Sequence, residues 1–235
     1  MKSKVILLFV VLISIIYIIC IRINNKIIKK YINSDILKTI ATDTGYVIQY
    51  KNFKYESSKI DLYFPLTKYK IINKEINEFI LTEIENFKNE IKKIDRKKEY
   101  IYNLNFDYYE TGTHITIVFH SFINLKIAHP IIYVKTINYN KNTNKIETIN
   151  DYVKKDNKFI NKIKKSVYDD LIKNNIYKDE SLKKYLVEAL NSGINIYEDY
   201  IVTEEGLTFI FEPYKVAPYV YGEIQSAIKI KDKLE

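Results

Sequence analysis

Three histidines, His114, His120 and His129, are the whole imidazole supply of this chain, and Cys20 is its only thiol. Metal-assisted or nucleophilic chemistry needs several such groups converging on one point. If His114 and His120 share a strand they stand roughly 20 Å apart at about 3.3 Å per residue, too far to ligate one ion. His120 precedes Ser121, but neighbours on a strand point to opposite faces. No H-E-x-x-H, G-x-S-x-G, phosphate loop or dinucleotide glycine pattern is present. A carboxylate pair at glycosidase separation would be sought at Asp107 with Glu110, or at Glu198 with Asp199. These observations lead us to expect no catalytic residue, no metal and no cofactor.

Binding chemistry has a stronger signal. The string from Phe209 to Gly222 holds Pro213 and Pro218, half of the chain's prolines, and displays Tyr214, Tyr219 and Tyr221. Each proline fixes its own φ and biases the preceding residue away from helix, so a stiff, extended loop is expected. Rigid tyrosines make good anchors because they bury large area with few rotamers to freeze. The plainer reading is that the rings plug the edge of the core with their hydroxyls bonded to backbone. Just upstream, Glu198, Asp199, Glu204 and Glu205 form an acidic cluster. It is either a solvated hairpin or a site for a basic ligand.

The elements that hold these residues follow from periodicity. Ile72, Ile76, Phe79, Ile80, Ile84, Phe87, Ile91 and Ile94 form one apolar stripe and predict a helix over 71–94. Strands are expected at 46–55, at 59–64 up to Pro65, and then at 100–110, 114–124 and 127–140 as an antiparallel series. A short strand at 145–149, helices at 158–173 and 181–190, a hairpin of 196–203 with 207–211, and a strand at 224–230 complete the reading. The expected class is α+β: an antiparallel sheet packed on a long helix, plus a smaller C-terminal helix-and-hairpin part.

The extreme N-terminus differs in kind. Val5 to Ile21 is apolar and uncharged, follows Lys2 and Lys4, precedes Arg22, and lacks a small-residue cleavage site. The pattern predicts a transmembrane signal anchor over 1–22, a stalk over 23–44 with helical spacing through Ile40, and an exported domain over 45–235 with sub-parts 45–140 and 141–235. Arg22, Lys26, Lys29 and Lys30 outnumber the charges before the anchor, so the positive-inside rule alone keeps the domain in the cytoplasm. Net charge is +8. The lysines are spread along the whole chain, however, and heavy use of Lys, Asn and Ile fits a genome poor in G and C. No nucleic-acid partner is expected.

The C-terminal string, with Glu205-Gly206-Leu207-Thr208 before it, resembles the signature of an exported domain of unknown function. That domain is shared by RsiV-type lysozyme-sensing anti-sigma factors and PdaC-type peptidoglycan deacetylases. The pattern there reads Gly-Leu-x-Phe-x-Phe-x-Pro-Tyr-x-Val-Ala-Pro-Tyr-x-x-Gly. Ala128-His129-Pro130, Asn138, Asn144-Lys145 and Ile149-Asn150-Asp151-Tyr152 resemble its Gly-Gly-Ala-His segment and later motifs, with Lys126 and Ile127 in place of the glycines.

The resemblance covers residues 45 to 230. It implies a Gram-positive-type cell envelope, a domain outside the membrane, and contact with cell-wall material or a wall-attacking protein such as lysozyme. Neither the separate catalytic domain of the deacetylases nor the cytoplasmic segment of the anti-sigma factors is expected from these residues. The expected function is a membrane-anchored, non-catalytic binding module for a cell-wall polymer or an extracellular protein, held to the membrane by its N-terminal helix. Its candidate ligand-binding residues are Pro213, Tyr214, Pro218, Tyr219, Tyr221, His129, Glu204 and Glu205. A peptidoglycan-modifying enzyme or its accessory, and a structural envelope protein, are the alternatives.

Overall fold

The computed structural model describes residues 38–41, 46–95, 97–156 and 158–230. The expected membrane anchor and most of the stalk lie outside the described residues. Among those residues no helix is long and apolar enough to cross a membrane. Where the expected helical stalk reaches the description it is extended instead: β1 (Lys38–Ala41) pairs antiparallel with β2 (Tyr46–Tyr55).

Strand β2 turns through Glu56 and Ser57 into β3 (Ser58–Thr67). Pro65 does not stop this strand as expected. Lys59 N–H donates away from β2 to Tyr100 O, and strand alternation gives residue 65 the same direction. The β4 pairing on that side ends at Leu62, so the missing proline N–H breaks no ladder bond.

Helix α1 (Lys70–Lys93) follows and returns the chain to β4 (Ile101–Glu110), which pairs parallel with β3. The sheet is therefore mixed rather than wholly antiparallel, because a helical crossover brings the next strand in with the same direction. The side chain of the N-cap residue, Tyr69, caps nothing, a loss of about 1 kcal/mol. Burial of Ile72, Ile76, Ile80, Ile84, Phe87 and Ile91 against the sheet outweighs it at about 1.5–3 kcal/mol per side chain.

Antiparallel strands β5 (His114–Asn124), β6 (Ile131–Asn140) and β7 (Lys145–Glu147) complete a seven-stranded sheet in simple sequence order. Strand β6 starts later than expected. Lys126, in the turn before it, takes φ 54, a left-handed conformation that suits the glycine of the resembled pattern. Lys126→Gly is expected to raise stability by up to about 1 kcal/mol, read as a higher urea midpoint.

The C-terminal part comprises α2 (Ile149–Lys155), α3 (Phe159–Leu171), α4 (Glu180–Leu190) and a second sheet of β8 (Tyr200–Val202), β9 (Gly206–Phe211) and β10 (Ile224–Lys229), ordered β10-β9-β8. Alternation divides this sheet's two faces. Tyr200, Val202, Leu207, Phe209, Phe211, Ile224 and Ile228 join Phe159, Ile163, Val167, Leu186 and Leu190 in one core. Ile201 and Ile210 face the other way and meet Val118 and Val134 of the large sheet.

That junction is largely polar. Thr116 Oγ1 accepts from Val202 N at 3.2 Å, Thr136 Oγ1 accepts from Tyr200 N at 3.3 Å, and Asn138 Nδ2 donates to Tyr200 O at 3.0 Å. Side chains of β5 and β6 thus stand in for the strand that the β8 edge lacks.

Candidate functional site

The loop between β9 and β10 is folded rather than extended. Lys215 N donates to Glu212 O and Tyr214 N to Ala217 O, while Val216 and Ala217 are buried beneath. Pro218 then starts a short 3₁₀ turn, Tyr219–Tyr221. This folding puts Tyr214 at φ 71, a conformation uncommon for a bulky residue and costly by about 1–3 kcal/mol. Tyr185 of α4 donates its hydroxyl to Tyr214 O. Tyr185 is itself exposed and braces the loop from outside.

Two carboxylates tie the base of the loop to β6. Glu212 Oε1 accepts from Val134 N at 2.8 Å and Asp199 Oδ1 from Thr136 N at 2.9 Å, both at the stretch of β6 that β7 does not cover. Lys215 Nζ lies 3.3 Å from Asp199 and 3.5 Å from Glu212. Burial raises the Glu212 carboxyl above its ordinary value, with the Val134 amide and Lys215 opposing.

On this base His129 meets the loop. Its ring stacks on Tyr219 with centroids 4.1 Å apart and planes at 23°, and lies 5.8 Å from Tyr214; the two tyrosine rings are 5.6 Å apart. Tyr219 donates its hydroxyl to Pro130 O at 3.1 Å. His129 Nδ1 lies 3.1 Å from the same carbonyl and Nε2 lies 3.0 Å from the Tyr214 hydroxyl. This pattern assigns the ring proton to Nδ1 and makes Nε2 the acceptor. Tyr219 is thus half plug and half surface, whereas Tyr214 is 53% exposed, Tyr221 42% and Val220 82%. Ile127 and Ile131, two residues either side of His129, are exposed as well, which gives the tip an aromatic and aliphatic character.

Of the candidate residues, His129, Pro213, Tyr214, Pro218, Tyr219 and Tyr221 come together here. Glu204 and Glu205 do not, because they occupy the β8–β9 turn at the opposite end of β9, roughly 17 Å away at about 3.3 Å per residue. Glu204 Oε1 accepts from Gly112 N at 2.9 Å, and Glu205 pairs with Lys229 at 2.9 Å. Their role in this structure is to bind hairpin to hairpin.

The remaining histidines hold elements together. His114 is buried, with Nε2 3.2 Å from Glu147 Oε2 and Nδ1 2.8 Å from Thr113 Oγ1. Tyr152 donates to Glu147 at 3.0 Å. The hydrogen bond from His114 lowers the Glu147 carboxyl against its burial. Hydroxyl, imidazole and carboxylate stand in the order of a nucleophile triad. Yet Gly112 N–H, the adjacent candidate oxyanion donor, is engaged by Glu204. His120 lies between Asp107, 3.0 Å from Nε2, and Glu223, 3.4 Å from Nδ1, so its carboxylates flank the ring instead of converging on a metal. Among the described residues no group of three or more His, Cys, Asp or Glu is placed to hold a metal ion.

Residues 139–231 match the family model described as a protein of unknown function, DUF3298. The chain is 27% identical over 217 residues to the peptidoglycan-N-acetylmuramic acid deacetylase PdaC of Bacillus subtilis (strain 168), covering 85% of this chain and 44% of that protein. It therefore spans less than half the length of that curated relative. The crystal structure of a DUF3298 family protein from Pseudomonas aeruginosa PAO1 superposes with a TM-score of 0.58 at 14% identity, covering 83% of this chain and 91% of that one. A DUF3298 member from Bacteroides fragilis NCTC 9343 gives 0.48 at 14% identity, over 83% and 87%. The resemblance read from the Gly206 to Gly222 string holds: the chain carries a DUF3298 domain and is homologous to PdaC.

Proposed function

We propose that this DUF3298-bearing chain is a non-catalytic binding module for cell-wall material, exported and held at the membrane by its apolar N-terminus, with the tip at His129, Tyr214, Tyr219 and Tyr221 as its contact surface. The observation that carries the reading is Tyr214. A bulky ring is kept at φ 71, at a backbone cost, and yet is left 53% exposed, and such outliers concentrate where a side chain serves a ligand. The homology to a peptidoglycan deacetylase supports the wall as the source of that ligand. Flat aromatic faces suit the C–H faces of sugar rings as well as protein side chains. An extracellular protein such as lysozyme therefore remains the second candidate, with the net charge of +8 opposing a basic partner.

Tyr214→Gly separates binding from folding, because glycine accepts the left-handed conformation that tyrosine resists. The variant is expected to unfold at the same urea concentration as the native chain or a higher one. Its retention on purified peptidoglycan should fall several-fold. Undiminished retention, measured by co-sedimentation, would remove the tip from the reading. Protease shaving of intact cells tests the location, with loss of the C-terminal part expected.

A further inference from the structure

We propose that the split between β3 and β4 is a saccharide-binding cleft, a second contact for an uncharged glycan stretch of the wall polymer. This rests on the wall-binding reading above. Parallel pairing of the two strands stops at Leu62 with Leu104, although β3 continues to Thr67 and β4 to Glu110. Beyond that point the strands diverge around a cleft of about 440 Å³, within the range of small-molecule sites. Tyr46, Ile48 and Tyr63 line one side, and Asn105, Asp107 and Tyr109 the other. Tyr46 bridges the split by stacking on Tyr108 at 4.3 Å and meeting the edge of Phe106 at 5.8 Å.

The lining selects among occupants. It offers several tyrosine rings, one amide and one carboxylate, which match the apolar faces and hydroxyl rims of sugars. It contains no lysine or arginine, so a phosphate-rich polymer would face Asp107 with no cation in the lining to pair with it. A peptide strand fits poorly as well. Of the β3 amides that face away from β2 beyond Tyr63, Pro65 has no N–H and Thr67 N already donates to Asn73 Oδ1 at 2.9 Å.

A chain of contacts links the cleft to the tip. Asp107 holds His120 at 3.0 Å, His120 lies 3.4 Å from Glu223, and Glu223 is two residues from Tyr221. A polymer can span both contacts, and linked weak sites gain avidity that neither has alone.

The test is titration of the full chain in detergent with a linear N-acetylglucosamine tetramer, followed by calorimetry, beside co-sedimentation with insoluble peptidoglycan. Tyr63 and Tyr109 are both exposed, although Tyr63 also stacks on Tyr50 at 4.5 Å, so Tyr63→Ala/Tyr109→Ala is expected to stay folded with only a slightly lower urea midpoint. Tetramer affinity should drop about ten-fold. Asp107→Asn, which keeps shape and removes charge, should cost a few-fold. The cleft is overturned if the native chain does not bind the tetramer, or if the double variant binds it like the native chain. If wall retention persists in either case, the tip reading stands and only the cleft falls; if the native chain is not retained on the wall at all, both fall.

Discussion

Alanine at Gly206 is expected to destabilise the fold by about 3 kcal/mol or more, near the severe end of single substitutions. A Cβ there would stand 2.1 Å from Ile228 O in the paired strand β10 and 2.7 Å from Ile230 N just past its end, both backbone atoms. Relief requires β10 to move, and β10 is held along its whole buried face. Ile224 and Ile228 lie in the C-terminal core, and Ser226 donates to Asp170 of α3 at 2.8 Å. Ile230 N also donates to Glu205 O at 3.1 Å, so a shift there gives up a further bond. Urea unfolding measures the loss, and Gly112→Ala, where nothing lies within 4 Å of the added carbon, is the control expected to stay within about 0.5 kcal/mol. A Gly206→Ala midpoint equal to that of the control would refute the close approach.

The role of Gly206 was visible in the sequence only as a letter of a motif, whereas elements with strong period were legible outright. The apolar stripe predicted 71–94 and the helix is Lys70–Lys93; alternation predicted 114–124 and the strand is His114–Asn124. Periodicity records a face, and these elements have one dominant face. The parallel β3–β4 pair was missed because pairing direction is a property of connections. A helix between two strands was itself the clue. Helix α2 was missed although its capping box, Thr148 with Asp151, lies in the sequence. Seven residues carry too little period to compete with a motif reading.

The site shows the same division. Rigid tyrosines near Pro213 and Pro218 were identifiable from composition, and His129 entered only through family resemblance, since nothing local says that residues 85 positions apart will share a hydrogen bond. The acidic pair was grouped with the loop because it is close in sequence, but a strand between them places them at opposite ends. The cleft was illegible for a different reason. It exists where pairing stops, and the end of a ladder is fixed by twist and crossover rather than by any residue pattern.

Glu83→Gln is expected to flatten the dependence of stability on pH. Glu83 sits on α1 and is buried, with Oε2 unpartnered among the described residues, as are Tyr102 Oη and Ser121 Oγ on the facing strands. Burial pushes its carboxyl up to about 7 from 4.5, with Asn86 opposing. Because the folded value exceeds the unfolded one, the stability this gives is present below pH 4.5 and is lost as pH rises toward 7. At about 1.36 kcal/mol per pH unit, the native chain should weaken by roughly 3 kcal/mol across that window relative to Glu83→Gln.

His120, raised first by Glu223 and also by Asp107, loses its own stabilisation only above 6.5. The carboxyls held low, such as Glu147 and Glu223, act below 4.5. Urea unfolding of both chains at intervals from pH 4.5 to 8 isolates Glu83, and parallel profiles would mean that water or a rearranged partner already satisfies its charge. The protonated acid has a structural use: its O–H is a donor near the Tyr102 hydroxyl, so the neutral form relieves the buried site where the carboxylate, an acceptor only, cannot.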